Sequence, residues 1–498
     1  MSKPQEIELK LLVPGLSADE ALQRLRRAPS LRRRKAQQTT LRNRYFDTPD
    51  LALQRERSAL RVRQVGGQEA STWLQTFKTA GTSQGGLSQR GEWEHPVARG
   101  ELDPTALAQT PWRDLDPDGS RFASLRPCFD TECLRTTWLV RLRDGTQIEV
   151  ALDAGSIRAA DRVEALLELE LELHHGTPQA LFALAQELAQ HLPLLPSDVS
   201  KAQRGYALAA GAAPSATKSQ PVALPKHTPP GALATPVLAE ILGQFHRNLE
   251  GLLHHDDPEL VHQARVAWRR WRSVTRLLRP WLPPVPDAAA LRPLLQSLGR
   301  VRDLDVALHD TLPRWAPAYL GDGTEGDAPS QQRQIDWVEA LQALAHAAAQ
   351  ERHAVRAALA TPSVTVHLIT LTTWLHTLAD QTLGRDSGKA GKAWARRRLE
   401  RWHQRVEHLL QDAQAHPTRL HDARLLAKRL RYSSEAIATT LPGADARRTR
   451  RWTQQASEWQ LRIGQQRDLA QAAHLLHTVR AAPELVGFMR GVSAALTP

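Results

Sequence analysis

Only two cysteines, Cys128 and Cys133, occur in 498 residues, too few for a disulfide framework. No His or further Cys lies near the two at zinc-finger spacing to complete a ligand set, and a reducing compartment is the expectation. No run of 18 apolar residues occurs, which excludes a plain membrane-spanning helix. The first ten residues, MSKPQEIELK, lack the apolar stretch of a secretory signal. The expectation is a cytoplasmic protein with no membrane partner. Aromatics are scarce at 5 %, with four Tyr and seven Phe, and the fourteen Trp fall mostly at helical core spacing. Stacking platforms of the kind that hold single-stranded nucleic acid are therefore few, and nucleic acid is a disfavoured partner.

Positive charge is abundant: Lys plus Arg number 65 against 53 Asp plus Glu, a net charge of +12, with a pI near 10.2. Such a balance asks for an anionic partner without choosing among nucleic acid, membrane surface and polyphosphate. The hydrophobic fraction, 41 %, is enough for more than one core.

The chain divides near residue 210. Before it, short runs alternate with period two: 6–13, 59–65, 71–79, 92–97, 138–142, 147–153 and 167–173. Two helices interrupt them, one over 17–27 with Ser17 as N-cap, the other over 177–191 with Thr177 as cap and Pro178 at its first position. This pattern predicts an antiparallel sheet or barrel with helices attached. Residues 211–235 are rich in Ala, Pro, Ser and Thr and aperiodic, as a linker is. Beyond them the three- and four-residue spacing of Leu, Ala, Arg and Trp predicts an all-α region to the end.

The helical region contains an internal duplication. VHQARVAWRRWRSV carries His262, Arg265, Arg269, Arg270 and Arg272; LHDARLLAKRLRYS carries His421, Arg424, Lys428, Arg429 and Arg431. The offsets from the His agree in both copies, and each copy is followed by an Arg-Asp pair, Arg302-Asp303 and Arg467-Asp468. At roughly 100° per residue, the His and three of its bases fall within about 80° of one helical face. Basic residues on a helix are usually only a solvated face, but two stripes of matched spacing favour an anion that relieves their repulsion. These paired helices resemble the CHAD domain, the conserved histidine α-helical domain. The resemblance implies two pseudo-symmetric helical bundles that bind inorganic polyphosphate through those ten residues, with the Arg-Asp pairs as structural ion pairs.

In the strand region, Glu6, Glu8 and Lys10 share one strand face, and Glu168, Glu170 and Glu172 share another, with leucines and isoleucine opposite. Arg61 with Arg63, Lys78, and Arg141 with Arg143 make other faces basic; Arg90, Glu92 and Glu94 mix both signs, and Glu149 shares parity with Asp153. Parity leaves open whether these faces point into a barrel or out to water. Crowded carboxylates ask for a hard oxygen-loving cation such as Mg²⁺ or Mn²⁺.

The strands resemble the CYTH superfamily of triphosphate tunnel metalloenzymes. The resemblance rests on E-I-E-L-K at 6–10, Y-F-D-T-P at 45–49, L-R-V-R at 60–63, F-K-T at 77–79, Q-R-G-E-W-E at 89–94, A-L-D-A-G at 151–155, E-L-E-L-E-L at 168–173 and S-K-A-Q-R-G-Y at 200–206. It implies an eight-stranded antiparallel β-barrel tunnel with α+β character over 1–207, a linker over 208–232 and the helical domain over 233–498. It implies metal ligation by Glu6, Glu8 and a pair from Glu168, Glu170 and Glu172, the register being open. Glu92 and Asp153 would serve a second metal or orient water. Lys10, Arg61, Arg63, Lys78, Arg90, Arg135, Lys201 and Arg204 would hold phosphate oxygens, with Lys78 polarising the attacked terminal phosphoryl group or positioning the water. The activity implied is hydrolysis of inorganic triphosphate, with association with polyphosphate granules through the helical half. The alternatives are a hydrolase of another triphosphate, such as thiamine triphosphate or a nucleotide, and a non-catalytic polyphosphate-binding or granule-targeting protein.

Overall fold

The computed structural model describes residues 5–66, 71–98, 100–212, 215–226, 228–321, 328–382, 389–413, 416, 418–441 and 443–495. Ala213, Pro214 and His227 of the expected linker lie outside the described residues. The chain separates into two compact units, Met1–Ser215 with Leu359–Thr373, and Ala216–Ala358 with Trp374–Pro498. Among the described residues no single helix is long and apolar enough to cross a membrane. Cys128 and Cys133 are both free.

The first unit is a closed antiparallel barrel of eight strands. Its elements are β1 (Gln5–Leu12), α1 (Ala18–Arg27), β2 (Gln37–Asp47), α2 (Ala52–Arg55), β3 (Ala59–Gly66), β4 (Ser71–Lys78), β5 (Thr82–Gln84), β6 (Leu87–Pro96), α3 (Trp112–Leu115), α4 (Ser120–Ser124), β7 (Arg126–Arg141), β8 (Gln147–Ala159), β9 (Arg162–His175), α5 (Pro178–Leu188), β10 (Leu195–Pro196) and α6 (Lys201–Ala210). The ring runs β1-β9-β8-β7-β2-β3-β4-β6 and closes by pairing β6 back onto β1; β5 and β10 are short additions to β6 and β1.

The open question of parity is answered by the packing. The apolar faces of β1, β7, β8 and β9 turn outward, where Leu9, Leu11, Trp138, Val140, Ile148, Val150, Leu152, Leu169 and Leu171 share one core with Leu181, Ala185 and Leu188 of α5 and Leu25 of α1. A second outer core joins Leu60 and Phe77 to Leu53, Leu107 and Trp112. The charged faces are left to line the interior.

The helix over 17–27 is Ala18–Arg27, held by a full capping box between Ser17 and Glu20. The helix expected over 177–191 is Pro178–Leu188; Thr177 stands at its N-cap position but its side chain makes no capping hydrogen bond, so Pro178 rather than a cap marks this start. Strands 126–141, 147–159 and 162–175 extend well beyond the runs read from sequence. Strand β2 was not among those runs. Its buried residues, Leu41, Asn43, Tyr45 and Asp47, alternate with exposed Arg42 and Arg44, so neither face reads as apolar.

Two motif residues have structural work. Buried Asp47 accepts hydrogen bonds from the backbone N–H groups of Thr48, Leu53 and Gln54 and from the Tyr206 hydroxyl. This ties β2, α2 and α6 together. Gly205 lets α6 approach the barrel: a Cβ there would lie 2.1 Å from the Phe129 ring.

The second unit holds α7 (Pro230–Leu252), α8 (Pro258–Leu278), α9 (Arg292–Val306), α10 (Leu312–Leu320), α11 (Ala328–Leu359), α12 (Pro362–Thr382), α13 (Lys389–Asp412), α14 (Arg419–Ile437), α15 (Gly443–Thr478) and α16 (Pro483–Ala495), α11 and α12 reaching also into the first unit. The two helices of the duplication, α8 and α14, pack on each other, with the Ser433 hydroxyl donating to the Ser273 carbonyl at 3.3 Å.

Gly205→Ala tests the seating of α6. Intrinsic helix propensity favours Ala by about 1 kcal/mol; the clash with Phe129 should outweigh it, for a net loss of about 1–3 kcal/mol. Denaturant unfolding that shows the Ala variant equal or more stable contradicts the close approach.

Candidate functional site

The barrel interior encloses a cavity of about 290 Å³. Its lining includes Glu6, Glu8, Lys10, Arg61, Arg63, Lys78, Arg90, Glu92, Glu94, Arg135, Glu149, Asp153, Glu170, Glu172 and Lys201, so fifteen residues singled out from sequence converge on it. Glu168 and Arg204 are not in the lining; both belong to an ion-pair layer just behind it. Arg141 and Arg143, expected on a basic face, are exposed where β7 ends.

Charges inside the cavity form two groups. In the first, Glu6 accepts from Lys78 at 2.9 Å and from Arg90 at 2.8 Å, and Arg90 reaches Glu8 at 2.7 Å. Lys78 also meets Glu92 at 3.0 Å, and Arg61 stands 3.6 Å from Glu92. Burial alone would raise the Glu6 carboxyl; Lys78 and Arg90 outweigh it and hold it far below the usual range.

In the second group, Asp153 and Glu170 each accept from Arg135 at 2.6 Å. Lys201 meets Asp153 at 2.8 Å and Glu170 at 2.7 Å, and pairs closely with Glu168. Burial disfavours the Lys201 ammonium, but these three carboxylates hold its pKa well above the ordinary lysine value. Arg204 completes the rear layer, 2.6 Å from Glu164 and 3.6 Å from Glu168. Lys201 enters because the Ser200–Gln203 capping box fixes the first turn of α6, and Ser200, Lys201 and Ala202 all line the cavity. The positive end of that helix therefore faces the interior, which favours an anion.

Neither sign is fully cancelled. Burial, together with Arg61 and Arg135, pushes Arg63 down to about 10. Burial, with Glu6, Glu92 and Glu149 nearby, pushes Glu172 up to about 7. The first is an excess of positive charge that a phosphate would relieve; the second is an excess of negative charge that a cation would relieve.

Oxygen atoms of Asp153, Glu168 and Glu170 lie within 4.8 Å of one another, close enough to hold a metal ion. Glu168 Oε2 is buried without a hydrogen-bond partner, and the donor set is all oxygen, which suits a hard divalent cation. On the acidic pair left open by the sequence, the register places Glu172 opposite Glu8 and Glu149, and Glu170 opposite Lys10. Sequence reasoning missed Asn43, Tyr45 and Thr76 in the lining. Asn43 accepts from Arg63 at 2.8 Å, Tyr45 from Arg61 at 3.3 Å, and Thr76 donates to Glu94 at 3.0 Å. Asn43 and Tyr45 lie on a strand with two polar faces, where the two-residue spacing from Leu41 to Asp47 was the available signal; Thr76 shares parity with Lys78 in the run read over 71–79.

In the helical unit the duplicated residues separate into different settings. Arg265, Arg269, Arg424 and Lys428 gather with His262, Arg302 and Arg467, near Asp303 and Asp468. Burial and the neighbouring Arg269, Arg424, Arg467 and Arg265 push Lys428 down to about 6. Burial, then Arg302, Arg269 and Arg265, lower the His262 imidazole. Arg270 is not part of this cluster: it is buried and committed to Glu240 at 2.8 Å and Gln244 at 2.6 Å, because its offset of eight from the His turns it toward α7. Arg431 pairs with Glu435 at 3.6 Å, while His421 and Arg272 are exposed and Arg429 sits over Trp402. The Arg-Asp pairs cross between copies, Arg467 standing 3.9 Å from Asp303.

Residues 4–206 match the family model of the CYTH domain, and residues 236–477 that of the CHAD domain. An inorganic triphosphatase of Haemophilus influenzae is 34 % identical over 206 residues, covering 41 % of this chain and 55 % of its own length. The chain thus spans about half the length of that curated relative. Among solved structures, the CHAD domain from the plant Ricinus communis is 26 % identical at a TM-score of 0.46, covering 56 % of this chain and 91 % of that one. A Hippeastrum protein, an adenylyl cyclase candidate with a dominant triphosphatase activity, is 20 % identical at a TM-score of 0.31, covering 42 % and 96 %.

The lowered Lys428 gives a testable sign. An anion seated among Arg265, Arg269, Arg424 and Arg467 raises the Lys428 pKa from about 6, so binding takes up a proton near neutral pH and tightens as pH falls toward 6. Titration calorimetry with polyphosphate as the trial anion, in buffers of different ionisation enthalpy, should show this uptake in the wild type and its reduction in Lys428→Arg. Equal heats in all buffers contradict it.

Proposed function

Because this chain belongs to the proteins that join a CYTH domain to a CHAD domain, homologous to a bacterial inorganic triphosphatase, we propose that its barrel hydrolyses inorganic triphosphate to diphosphate and phosphate with Mg²⁺ or Mn²⁺, and that its helical domain binds inorganic polyphosphate. The observation that carries this reading is a cavity inside the closed barrel, lined by carboxylates and bases in near balance, with residual excesses of both signs. A triphosphate with a divalent cation offers the matching charges: the bases exchange carboxylates for phosphate oxygens, and the carboxylates exchange bases for the metal.

The domain boundaries we assign are 1–207 for the barrel, 208–232 for the linker and 233–498 for the helical domain. Glu6, Glu8, Asp153, Glu168, Glu170 and Glu172 are the candidate metal ligands. The ion would supply Lewis-acid charge on the phosphoryl oxygens. Lys10, Arg61, Arg63, Lys78, Arg90, Arg135 and Lys201 face the chain of phosphates, with Arg204 supporting Lys201 through Glu168. Lys78, held between Glu6 and Glu92, would stabilise charge on the attacked phosphoryl group, and Glu92 and Asp153 would orient water. Inorganic triphosphate is favoured over a nucleotide or thiamine ester because most of the lining is charged. Its two aromatic rings nearest the site are already engaged, Tyr45 stacked on Phe129 and Tyr206 edge-on to the same ring. In the helical domain His262, Arg265, Arg269, Arg424 and Lys428 are the principal polyphosphate contacts; His421, Arg272, Arg429 and Arg431 are peripheral, and Arg270 acts by holding α7 to α8.

The direct assay is phosphate release from triphosphate, ATP and thiamine triphosphate, each with Mg²⁺, Mn²⁺ or chelator. Metal-dependent turnover of triphosphate well above the other two is expected. Lys78→Ala should lower kcat on the order of 100-fold, and Glu6→Ala with Glu8→Ala should abolish metal-dependent turnover. Full activity in the double variant would overturn the metal assignment. Polyphosphate binding without turnover of any substrate would favour the non-catalytic alternative.

A further inference from the structure

Six arginines form a second basic patch in the helical unit, apart from the clustered residues of the duplication. Arg272, Arg276 and Arg279 come from α8 and its C-terminal end, Arg398 and Arg401 from α13, and Arg429 from α14. Among the described residues, the charged groups acting on Arg398 are Arg401, Arg276 and Arg279, and those acting on Arg429 are Arg276, Arg272 and Arg398. None is a carboxylate.

Indole rings hold the Arg398 and Arg429 guanidinium groups instead. The Arg398 guanidinium lies 5.2 Å from the Trp394 ring and 5.3 Å from the Trp402 ring, and that of Arg429 lies 5.7 Å from Trp402. Buried Trp281 meets Trp394 edge-on at 4.8 Å and 85°. A cation–π contact positions a guanidinium without cancelling its charge, as a carboxylate would. Arg398 Nε is also buried without a hydrogen-bond partner, a donor that an added acceptor could satisfy. This contrasts with Arg270, whose charge is used up by Glu240.

The patch is also continuous with the duplicated stripe. Arg265, Arg272 and Arg279 follow at steps of seven, as do Arg269 and Arg276. Each such step returns to within about 20° of the same face. From Arg265 to Arg279 the track runs about 21 Å at 1.5 Å per residue.

Building on the polyphosphate reading of this domain, we propose that the Arg272–Arg276–Arg279–Arg398–Arg401–Arg429 patch, backed by Trp394 and Trp402, is a second phosphate-chain subsite. It extends the track along α8 and engages inorganic polyphosphates too long for the clustered residues alone. The rings are already covered by guanidinium groups, which suits a ligand made only of phosphate over one that stacks bases.

The test uses the full chain and two polyphosphate sizes, one too short to span the track and one several times longer. The triple variant Arg276→Gln, Arg398→Gln, Arg401→Gln should bind the long chain at least about tenfold more weakly and the short chain within about twofold of wild type, with a shallower salt dependence on the long chain, by roughly two in the log–log slope. The corresponding triple Lys variant should recover most long-chain binding, which separates charge from misfolding. Wild-type protein that binds neither length overturns the polyphosphate reading itself. Wild-type binding with an equal loss on both lengths, or no loss, overturns only this subsite. Displacement of the long polyphosphate by a single-stranded oligonucleotide of equal charge, at equal concentration, overturns phosphate as the intended occupant.

Discussion

Charge buried inside a closed wall is the constraint on which the rest of the barrel depends. A carboxylate or ammonium taken from water into the interior costs several kcal/mol unless a partner of opposite sign meets it with good geometry. The barrel meets that requirement internally, with Lys78 and Arg90 on Glu6, and Lys201 and Arg135 on Asp153 and Glu170. Such pairs contribute little net stability, because attraction mostly offsets desolvation. Their use is different: each base and each carboxylate is held in place at low cost to exchange. A ligand that brings both a polyanion and a cation can satisfy both halves at once.

Everything outside that interior serves to keep it closed. With polar residues turned inward, the strands must bury their apolar faces against helices on the outside, and α1 and α5 cover the β1-β9-β8-β7 wall. The helix α6 closes the remaining requirement by carrying Lys201 to the carboxylates, fixed by Asp47 at one point and by the absence of a side chain at Gly205. The helical domain solves the charge problem in the opposite way. Its arginines crowd each other with few acids near, so burial and mutual repulsion lower Arg265, Arg269, Arg424 and Lys428. Those cations are set for an anion that neutralises without replacing a partner.

Much of this was legible in the sequence because period-two and period-3.6 patterns record which face meets apolar neighbours. The E-x-E-x-K run placed Glu6, Glu8 and Lys10 on one strand face and the alternating Glu run placed Glu168, Glu170 and Glu172 on another; all of these but Glu168 line the cavity. What parity could not give was direction, since a wet outer face and a charged inner face alternate alike. Strand β2 escaped detection because Arg42 and Arg44 pair with Glu132 and Asp130 on its outer side while Asn43 and Tyr45 point inward, leaving no apolar stripe. On the helices, the offset pattern treated Arg270 like its neighbours. Only the position of Glu240 on α7, which is not encoded in the spacing, shows that it is a buried structural base.

The central claim is that the interior ion pairs are exchanged for a metal and a phosphate chain. Crystals grown with Mn²⁺ and a non-hydrolysable triphosphate analogue, with anomalous scattering to locate the metal, test it directly. The account predicts Mn²⁺ bonded to carboxylates inside the barrel and the analogue contacting Lys78, Arg90 and Arg135, with at least one of the Glu6 and Asp153 pairs opened. Metal and analogue found only on the outer surface, with every interior pair intact, would contradict it.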